Sequence, residues 1–203
     1  MARQFTKIAF TEGVKKAQTR YGSREIYQKF LEKQEVSKDL LTDKEIAFVS
    51  ARDSFYMGTV NSNNYPYIQF RGGGTGLLKV LDETTLGFVD FVGNLQYLSV
   101  GNLLANDRVF LFLMDYAHRR RLKIWGRAQV IDDNSELIEK LSDPNYQAEK
   151  ARVILIKIEA FDWNCPQHIP LRYSEAEVAQ IKAPLEARIQ QLEQQLSQLS
   201  SAN

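Results

Sequence analysis

The segment Gly72-Gly-Gly-Thr-Gly76 could let the backbone approach a phosphate or a flat ring closely, because glycine places no Cβ in the way. Its spacing matches neither a dinucleotide-binding turn nor a P-loop with its lysine, so a mobile hairpin loop is the alternative interpretation. The preceding residues, Tyr67-Ile-Gln-Phe-Arg71, have the pattern of a strand. Alternation along this strand places Gln69 and Arg71 on one face, which leads into the glycines.

A second polar segment, Gly93-Asn94-Leu-Gln96-Tyr97, precedes a predicted helix over about 95–104. The first amides of a helix lack partners and carry about half a positive charge. Asn94 and Gln96 are therefore candidates for holding a phosphate at this helix start. The alternative is that Asn94 only caps the helix.

A third segment, His118-Arg-Arg-Arg121-Leu-Lys123, is strongly basic. Alternation sends Arg121, Lys123 and Trp125 to one side of a strand, a combination suited to an anion beside a planar aromatic system. The other two arginines are typical of a solvated strand edge. Nucleic-acid binding is not expected, because no second basic stripe accompanies this run.

The loop 163–168 brings together a tryptophan, an amide, a thiol and an imidazole, as the rim of a pocket does. In the alternative interpretation Trp163 plugs the end of a barrel and His168 satisfies a backbone carbonyl. Cys165 and His168 lack the third group that orients a nucleophilic pair. No catalytic side chain is therefore assigned.

The elements that position these segments are predicted to be helical, then mostly β, then helical. Alternating patterns separated by turn residues predict seven strands: 54–60, 67–71, 77–81, 85–91, 109–115, 120–131 and 152–161. So many strands with few intervening helices favour a closed or partly open antiparallel barrel over a parallel sheet. We expect a mainly β fold with flanking helices, divided into a helical extension (1–50), a barrel domain (51–172) and a C-terminal helix (173–203).

The flanking helices show recognisable starts. Thr42-Asp-Lys-Glu45 and Ser174-Glu-Ala-Glu177 have the spacing of a capping box, and the stretch 23–32 has helical apolar spacing. In the C-terminal helix, Pro184 is expected to cause a kink or a restart. Apolar residues after it recur at steps of three and four, and we expect this stripe to pack on the body or on a partner subunit.

Composition excludes several classes of protein. The chain of 203 residues has a formal net charge of +1, so it has no overall field that would draw it to nucleic acid or to an anionic membrane. One cysteine and two histidines cannot form an internal disulfide or a conventional structural zinc site. No apolar run is long enough for a membrane span or a signal peptide. With the single cysteine this predicts a protein of the reducing cytoplasm, and the small number of Cys and His residues predicts no metal centre.

Taken in order, several segments resemble the pyridoxamine 5'-phosphate oxidase-like, FMN-binding split-barrel family over about residues 47–172. The segments that carry the resemblance are 52–59, 65–73, 85–97 and 121–128, read as RDSFYMGT, YPYIQFRGG, TLGFVDFVGNLQY and RLKIWGRA. The resemblance implies a split antiparallel β-barrel of the FMN-binding type. It also implies a homodimer with two FMN sites at the subunit interface.

The resemblance assigns cofactor-binding roles to four regions of this chain. These are the strand before the glycines, the next strand end with the helix start, the basic hairpin strand, and the loop that closes the site from the partner subunit. The residues concerned are Gln69, Phe70, Arg71, Gly72, Asp90, Asn94, Gln96, Arg121, Lys123, Trp163 and Gln167.

Three departures from the biosynthetic oxidases of this family limit the activity that the resemblance implies. Those enzymes carry an arginine where Gln69 aligns and an Arg-Lys pair where this chain has Leu95 and Gln96, so Arg71 or Lys123 is expected to compensate at the phosphate. The Arg-x-His that grips the vitamin phosphate is missing from 167–172. Oxidation of pyridoxine or pyridoxamine phosphate is therefore not expected.

The resulting hypothesis is an FMN-dependent oxidoreductase that acts on a small or planar substrate, with an electron donor such as NAD(P)H. Two alternatives stay open at this point. One is a flavin-binding protein without turnover that serves storage or sensing. The other is a haem-binding relative, which the presence of only two histidines makes the weakest of the three.

Overall fold

The computed structural model describes residues 3–32 and 39–201, which form two compact units. The first unit comprises the described residues of 3–115 together with 120–166, and the second comprises 116–119 and 167–201. The helices of the first unit are α1 (Arg3–Ala9), α2 (Glu12–Arg20), α3 (Arg24–Glu32), α4 (Asp43–Ser50), α5 (Leu98–Ala105) and α6 (Ser135–Leu141). Its strands are β1 (Ser54–Val60), β2 (Pro66–Gly72), β3 (Lys79–Asp82), β4 (Thr85–Phe91), β5 (Arg108–Asp115), β6 (Arg120–Ile131) and β7 (Lys150–Trp163).

The strands form one antiparallel sheet in the order β2-β1-β5-β6-β7-β4-β3. Within the described residues β2 and β3 are the two edges of this sheet, so the barrel is not closed by hydrogen bonds. This confirms the prediction of a mainly β fold with flanking helices, a split antiparallel barrel.

The main core cluster lies on one face of this sheet, with a smaller buried cluster of Val89, Leu141 and Val153 beside α6, and β6 shows how alternation creates the main one. Leu122, Ile124 and Ala128 are buried, while Lys123 and Arg127 point to the other side, as the alternating pattern predicted. The main cluster continues through side chains of the other strands and of α4 and α5. Its largest fully buried members are Phe55, Phe88, Met57, Leu78, Leu86, Leu111, Leu113, Ile154 and Ile156.

The sheet curls so that distant strands meet through their side chains. Arg71 on β2 forms an ion pair with Asp90 on β4, although these strands are first and sixth in the hydrogen-bonded order. Since the strands share no backbone hydrogen bonds, this pair closes the open side of the barrel at one point.

Helices from the N-terminal part of the chain pack against the barrel: α1 contacts β7, and α4 contacts β3. The capping box of α4 is present, with Thr42 N donating to Glu45 Oε2 at 3.1 Å. Helix α1 packs the ring of Phe5 against Trp125 on the outer face, with ring centroids 5.2 Å apart. Helices α1, α2 and α6 were not predicted from the sequence, and α3 and α4 were.

The predicted bounds of three elements differ from the observed bounds by up to three residues. The strand predicted over 77–81 is β3, Lys79–Asp82, because Leu77 and Leu78 are buried core residues of the turn that precedes it. The helix predicted from about residue 95 begins at Leu98. Strand β7 extends beyond its predicted range of 152–161 at both ends.

The second unit consists mainly of α7 (Glu175–Ser201), which starts at the predicted capping box, where Ser174 N donates to Glu177 Oε2 at 2.7 Å. The helix contains Pro184 and does not restart there, contrary to that alternative. The apolar stripe from Leu185 to Leu199 is exposed, and its packing on the body or on a partner stays a prediction. Within the described residues, no helix has the length and apolar content that crossing a bilayer requires.

Candidate functional site

A cavity of about 340 Å³ opens on the split side of the barrel. Its walls come from the core-facing side of β2, the end of β4, the loop 92–97, the start of α5 and the start of β7. Of the residues predicted to bind a cofactor, five line this cavity: Gln69, Arg71, Asp90, Asn94 and Gln96.

The two predicted residues on β2 share the face that the alternation indicated. Gln69 pairs with Met57 on β1, and Arg71 pairs with Phe55. Directly opposite residues on neighbouring strands point to the same side, and both partners on β1 are core residues. The Gln69 side chain is held by Ser99 of α5, whose Oγ donates to Gln69 Oε1 at 2.9 Å.

Two arginines approach one buried carboxylate at the wall of the cavity. Arg71 Nη1 donates to Asp90 Oδ1, and Arg152 Nε lies 3.8 Å from Asp90 Oδ2. Arg152 reaches this place because β7 pairs with β4 in a register that sets it opposite Asp90. Its Nη1 also lies 3.1 Å from Asp132 Oδ1. The buried Nε atoms of both arginines have no hydrogen-bond partner.

Burial determines the titration of Asp90. Removal of its carboxylate from water raises the pKa of Asp90, although the charges of Arg71 and Arg152 oppose this change. The two cations therefore do not fully replace the hydration that the carboxylate loses on burial. The three side chains together carry one positive charge in excess when Asp90 is ionised.

The loop 92–97 is shaped by left-handed backbone at two residues, Leu95 (φ 62°) and Tyr97 (φ 51°). Gln96 N donates to Asn94 Oδ1 at 3.3 Å. Tyr97 is the N-cap of α5 and gives its first amides no side-chain acceptor, so the interpretation of Asn94 as the N-cap is wrong. The left-handed residues delay the helix, and the polar side chains lie on a loop before it.

The remaining predicted site residues of β2 lie outside the cavity. Phe70 alternates to the outer face and packs on Tyr56, with ring centroids 5.5 Å apart. Gly72 faces the same ring, because a Cβ there would lie 2.9 Å from Phe70 Cε1. None of the four glycines in the segment 72–76 lines the cavity. Their turn is tied to the residues before β1, since Gly76 N donates to Arg52 O at 2.8 Å.

The basic site residues predicted on β6 also lie outside this cavity. Lys123 Nζ lies 2.8 Å from Asp162 Oδ2 and 4.7 Å from the ring of Phe5. Because Lys123 pairs with Phe112 and Phe112 pairs with Tyr56, it shares the outer face with Phe70. Arg121 does not line the cavity either, and its buried Nε has no hydrogen-bond partner.

Trp163, predicted to lie on the loop 163–168, is instead the last residue of β7 and packs against the barrel core beneath α4. Trp163 Nε1 donates to Glu45 Oε1 at 2.7 Å, and its ring centroid lies 4.7 Å from that of Phe48. Burial opposes the ionisation of Glu45, but hydrogen bonds from Thr42 and Trp163 outweigh it and lower the pKa of Glu45. This packing agrees with the interpretation of Trp163 as a barrel plug. Gln167 lies in the second unit.

Sequence reasoning missed Arg152, the second guanidinium at the cavity. Its neighbours in β7 alternate like those of any strand, and the sequence contains no signal for its partner across the sheet. The register between β4 and β7 brings it to Asp90, and the curl of the sheet adds Arg71. Neither histidine lines the cavity. Among the described residues no group of three His, Cys, Asp or Glu side chains could hold a metal ion.

These features define a split-barrel protein with a polar cavity, positively charged at one wall, on the open side of the barrel. The family described as Pyridoxamine 5'-phosphate oxidase matches residues 41–164, more than half of the chain. The chain therefore belongs to this family, as the resemblance predicted.

Solved structures with a TM-score of at least 0.50 agree with this fold at low sequence identity, and a further structure is similar at a lower score. HupZ from Group A Streptococcus is 14% identical with a TM-score of 0.50, and the match covers 66% of this chain and 100% of that chain. A histidine-to-alanine variant of HupZ is also 14% identical, with a TM-score of 0.51 and coverage of 62% and 100%. A candidate pyridoxamine 5'-phosphate oxidase from Lactobacillus delbrueckii is 19% identical, with a TM-score of 0.49 and coverage of 63% and 97%. No curated protein matches the chain.

Proposed function

We propose that this chain binds FMN in the cavity between β2 and β4 and works as a homodimeric, flavin-dependent oxidoreductase on a small or planar substrate. One observation carries the proposal. In a member of this family, five residues predicted to contact the cofactor come from β2, β4 and the loop 92–97 to line one cavity.

The residues of the cavity fit a phosphorylated flavin in charge and in size. Two arginines line the cavity, and their guanidinium groups provide charged donors for a phosphate. Gln69 and Asn94 provide amide groups that can orient a planar heterocycle by hydrogen bonds. The volume of about 340 Å³ lies at the low end of the range of roughly 300–1,000 Å³ that ligand pockets have.

A second copy of the chain is the partner that completes this small site. Side chains on the outer face of β1 and β2 are apolar and exposed, with Ile68 67% and Phe70 57% accessible, beside Tyr56. An apolar sheet face of this kind in a folded protein is typical of an interface. Arg121 and Trp163 do not line the chain's own cavity, so they can contact a cofactor only across such an interface.

The chemistry of the reaction comes from the cofactor, since bound FMN accepts and donates hydride or single electrons. The chain supplies binding and charge. Arg71, held by Asp90, and Arg152 place positive charge at the cavity wall, where it favours an anionic ligand. No side chain is required to transfer a proton in this scheme.

The proposal is tested by the absorbance spectrum of the purified protein, by mass spectrometry of whatever heat releases, and by light scattering. We expect flavin absorption, release of FMN, and twice the mass of the 23.3 kDa chain. Reduction of the bound flavin by NADH or NADPH, followed by reoxidation in air, supports the oxidoreductase.

Each part of the proposal can fail separately. Bound FMN that neither nucleotide reduces contradicts the NAD(P)H-dependent reaction and favours storage or sensing. A Soret band in place of flavin absorption favours the haem-binding alternative. A colourless protein that does not bind added FMN contradicts flavin binding altogether.

A further inference from the structure

The charges at the cavity wall do not cancel, and this imbalance involves a residue that the sequence did not indicate. Arg71 and Arg152 share one buried carboxylate, that of Asp90. The other partner of Arg152, Asp132, has a side chain that is 58% exposed, so water weakens its compensation. The buried Nε of Arg152 has no hydrogen-bond partner, so its two carboxylate neighbours do not fully satisfy this guanidinium, which also lines the cavity.

We infer that Arg152 binds the terminal phosphate of the cofactor. It would compensate for the basic residues that the family resemblance leads us to expect where this chain has Gln69, Leu95 and Gln96. The inference rests on the proposed function, which supplies the phosphorylated ligand. It assigns a cofactor contact to the start of β7, where the sequence analysis predicted none.

The two residues expected to compensate at the phosphate are less suited to it. Lys123 lies on the outer face of the sheet and is neutralised by Asp162 at 2.8 Å. Arg71 also has an unpaired Nε, but its Nη1 holds Asp90 by a direct hydrogen bond and so joins β2 to β4, whereas Arg152 makes no hydrogen bond to Asp90. A phosphate that took Arg71 away from Asp90 would break the contact that closes the barrel on this side.

The position of Arg152 suits a phosphate contact. Its Nε is 3.8 Å from Asp90, longer than a hydrogen bond, so that N–H is not committed. Its guanidinium lies 5.4 Å from the ring centroid of Tyr97, in the loop that carries Asn94 and Gln96. A guanidinium there places planar paired donors beside the polar loop, the geometry that phosphate oxygens accept.

Asp90 has a positioning role in this arrangement. Without its carboxylate the two guanidinium groups would repel each other across the cavity wall. With it, the cluster keeps a single excess positive charge and fixed side chains. The cavity then attracts a dianion without paying the repulsion of two free cations.

The test compares FMN with riboflavin, which has the same ring system and lacks the phosphate. Dissociation constants are measured by flavin fluorescence on protein stripped of flavin, at low ionic strength. We expect the unaltered protein to bind FMN at least tenfold more tightly than riboflavin. Arg152→Gln should lose at least tenfold in FMN affinity and keep its riboflavin affinity, so that the preference disappears.

Two further variants separate phosphate contact from support of the fold. Asp132→Asn removes the exposed partner of Arg152 and keeps the guanidinium, so the FMN preference should persist. Arg152→Lys keeps the charge but loses the planar paired donors, and should retain only part of the preference. Circular dichroism establishes that each variant is folded, and if Arg152→Gln is not, Arg152→Lys decides.

The inference is overturned if Arg152→Gln, or Arg152→Lys in its place, keeps the full FMN preference or weakens both flavins equally. Equal affinity of the unaltered protein for FMN and riboflavin overturns the phosphate contact and leaves flavin binding intact. Failure to bind either flavin overturns the proposed function itself. The two failures are therefore distinguishable in one set of titrations.

Discussion

Two ion pairs of this barrel, Arg71–Asp90 and Lys123–Asp162, lie on opposite faces of the sheet, and each joins a strand-borne cation to a buried aspartate. Arg71 and Asp90 lie on the core-facing side and border the cavity. Lys123 and Asp162 lie on the outer side, where the ring of Phe5 is 4.7 Å from the ammonium group. Both pairs are partly shielded from water, but only the first has a second cation, Arg152, beside it.

The difference shows that residue type alone does not make an anion site. The outer pair has one carboxylate for one ammonium and is covered by an aromatic ring, so it is electrically complete. The inner cluster has two guanidinium groups for one buried carboxylate and space beside them. An unbalanced charge next to a cavity indicates ligand binding, whereas a balanced, covered pair indicates a structural role.

Replacement of Arg71 by methionine should have the largest effect. The change leaves Asp90 with only Arg152, and breaking a buried ion pair costs about 3 kcal/mol of unfolding free energy at the lower end of its range. FMN affinity should fall at least tenfold, because β2 loses its anchor to β4 and the cavity loses a cation. Urea unfolding and a flavin titration measure the two effects. Unchanged affinity would remove Arg71 from the site.

Replacement of Lys123 by methionine is the matching change in the outer pair, to be compared with that of Arg71. Asp162 would lose its ammonium partner, and we expect a loss of about 2 kcal/mol, between the values for exposed and buried pairs. FMN affinity should not change, because Lys123 lies on the other face from the cavity. The same two measurements apply. A fall in affinity without a fall in stability would instead assign Lys123 to a site across the dimer interface.

Replacement of Asp82, whose carboxylate is exposed, should have the smallest effect on the free energy of unfolding. It serves as the control for the buried carboxylates. Hydrogen bonds from Thr84 and Thr85 lower the pKa of Asp82 to about 2. Because the pKa is lower in the folded chain, Asp82 stabilises it above the ordinary aspartate pKa, and this contribution is lost as the pH falls through about 2. Asp82→Asn should cost less than about 1 kcal/mol at pH 6, an amount typical of exposed charges.

Unfolding measured at pH 6 and again near pH 2 checks this sign. The difference between the unaltered protein and Asp82→Asn should shrink as the pH falls. The contribution of Asp90 to stability has the opposite pH dependence. Because its pKa is raised in the folded chain, its ionisation lowers the stability of the fold as the pH rises. A difference that grows towards acid would show that the Asp82 interactions do not stabilise the folded chain.

An element could be predicted from the sequence where the residues that determine its bounds lie within one short stretch of chain. The bounds of β1, β4 and β6 are those predicted, because alternation and flanking turns define them within one stretch of chain. Helix α5 starts later than predicted, because Leu95 and Tyr97 adopt left-handed backbone that their residue types do not favour. The shared face of Gln69 and Arg71 was predictable since a strand has a fixed period of two.

The sequence alone determined the class of fold, the family and the polar segments on β2, at the end of β4 and before α5, because these depend on local period and motif. Only the tertiary structure decided which cations belong to the cavity. Alternation had already set Lys123 opposite the core residues of β6, but only the tertiary structure showed that the cavity lies on the core-facing side, and it brought Arg152 to Asp90. The reason is that strand register and sheet curl act between residues far apart in the chain, where no local pattern records them.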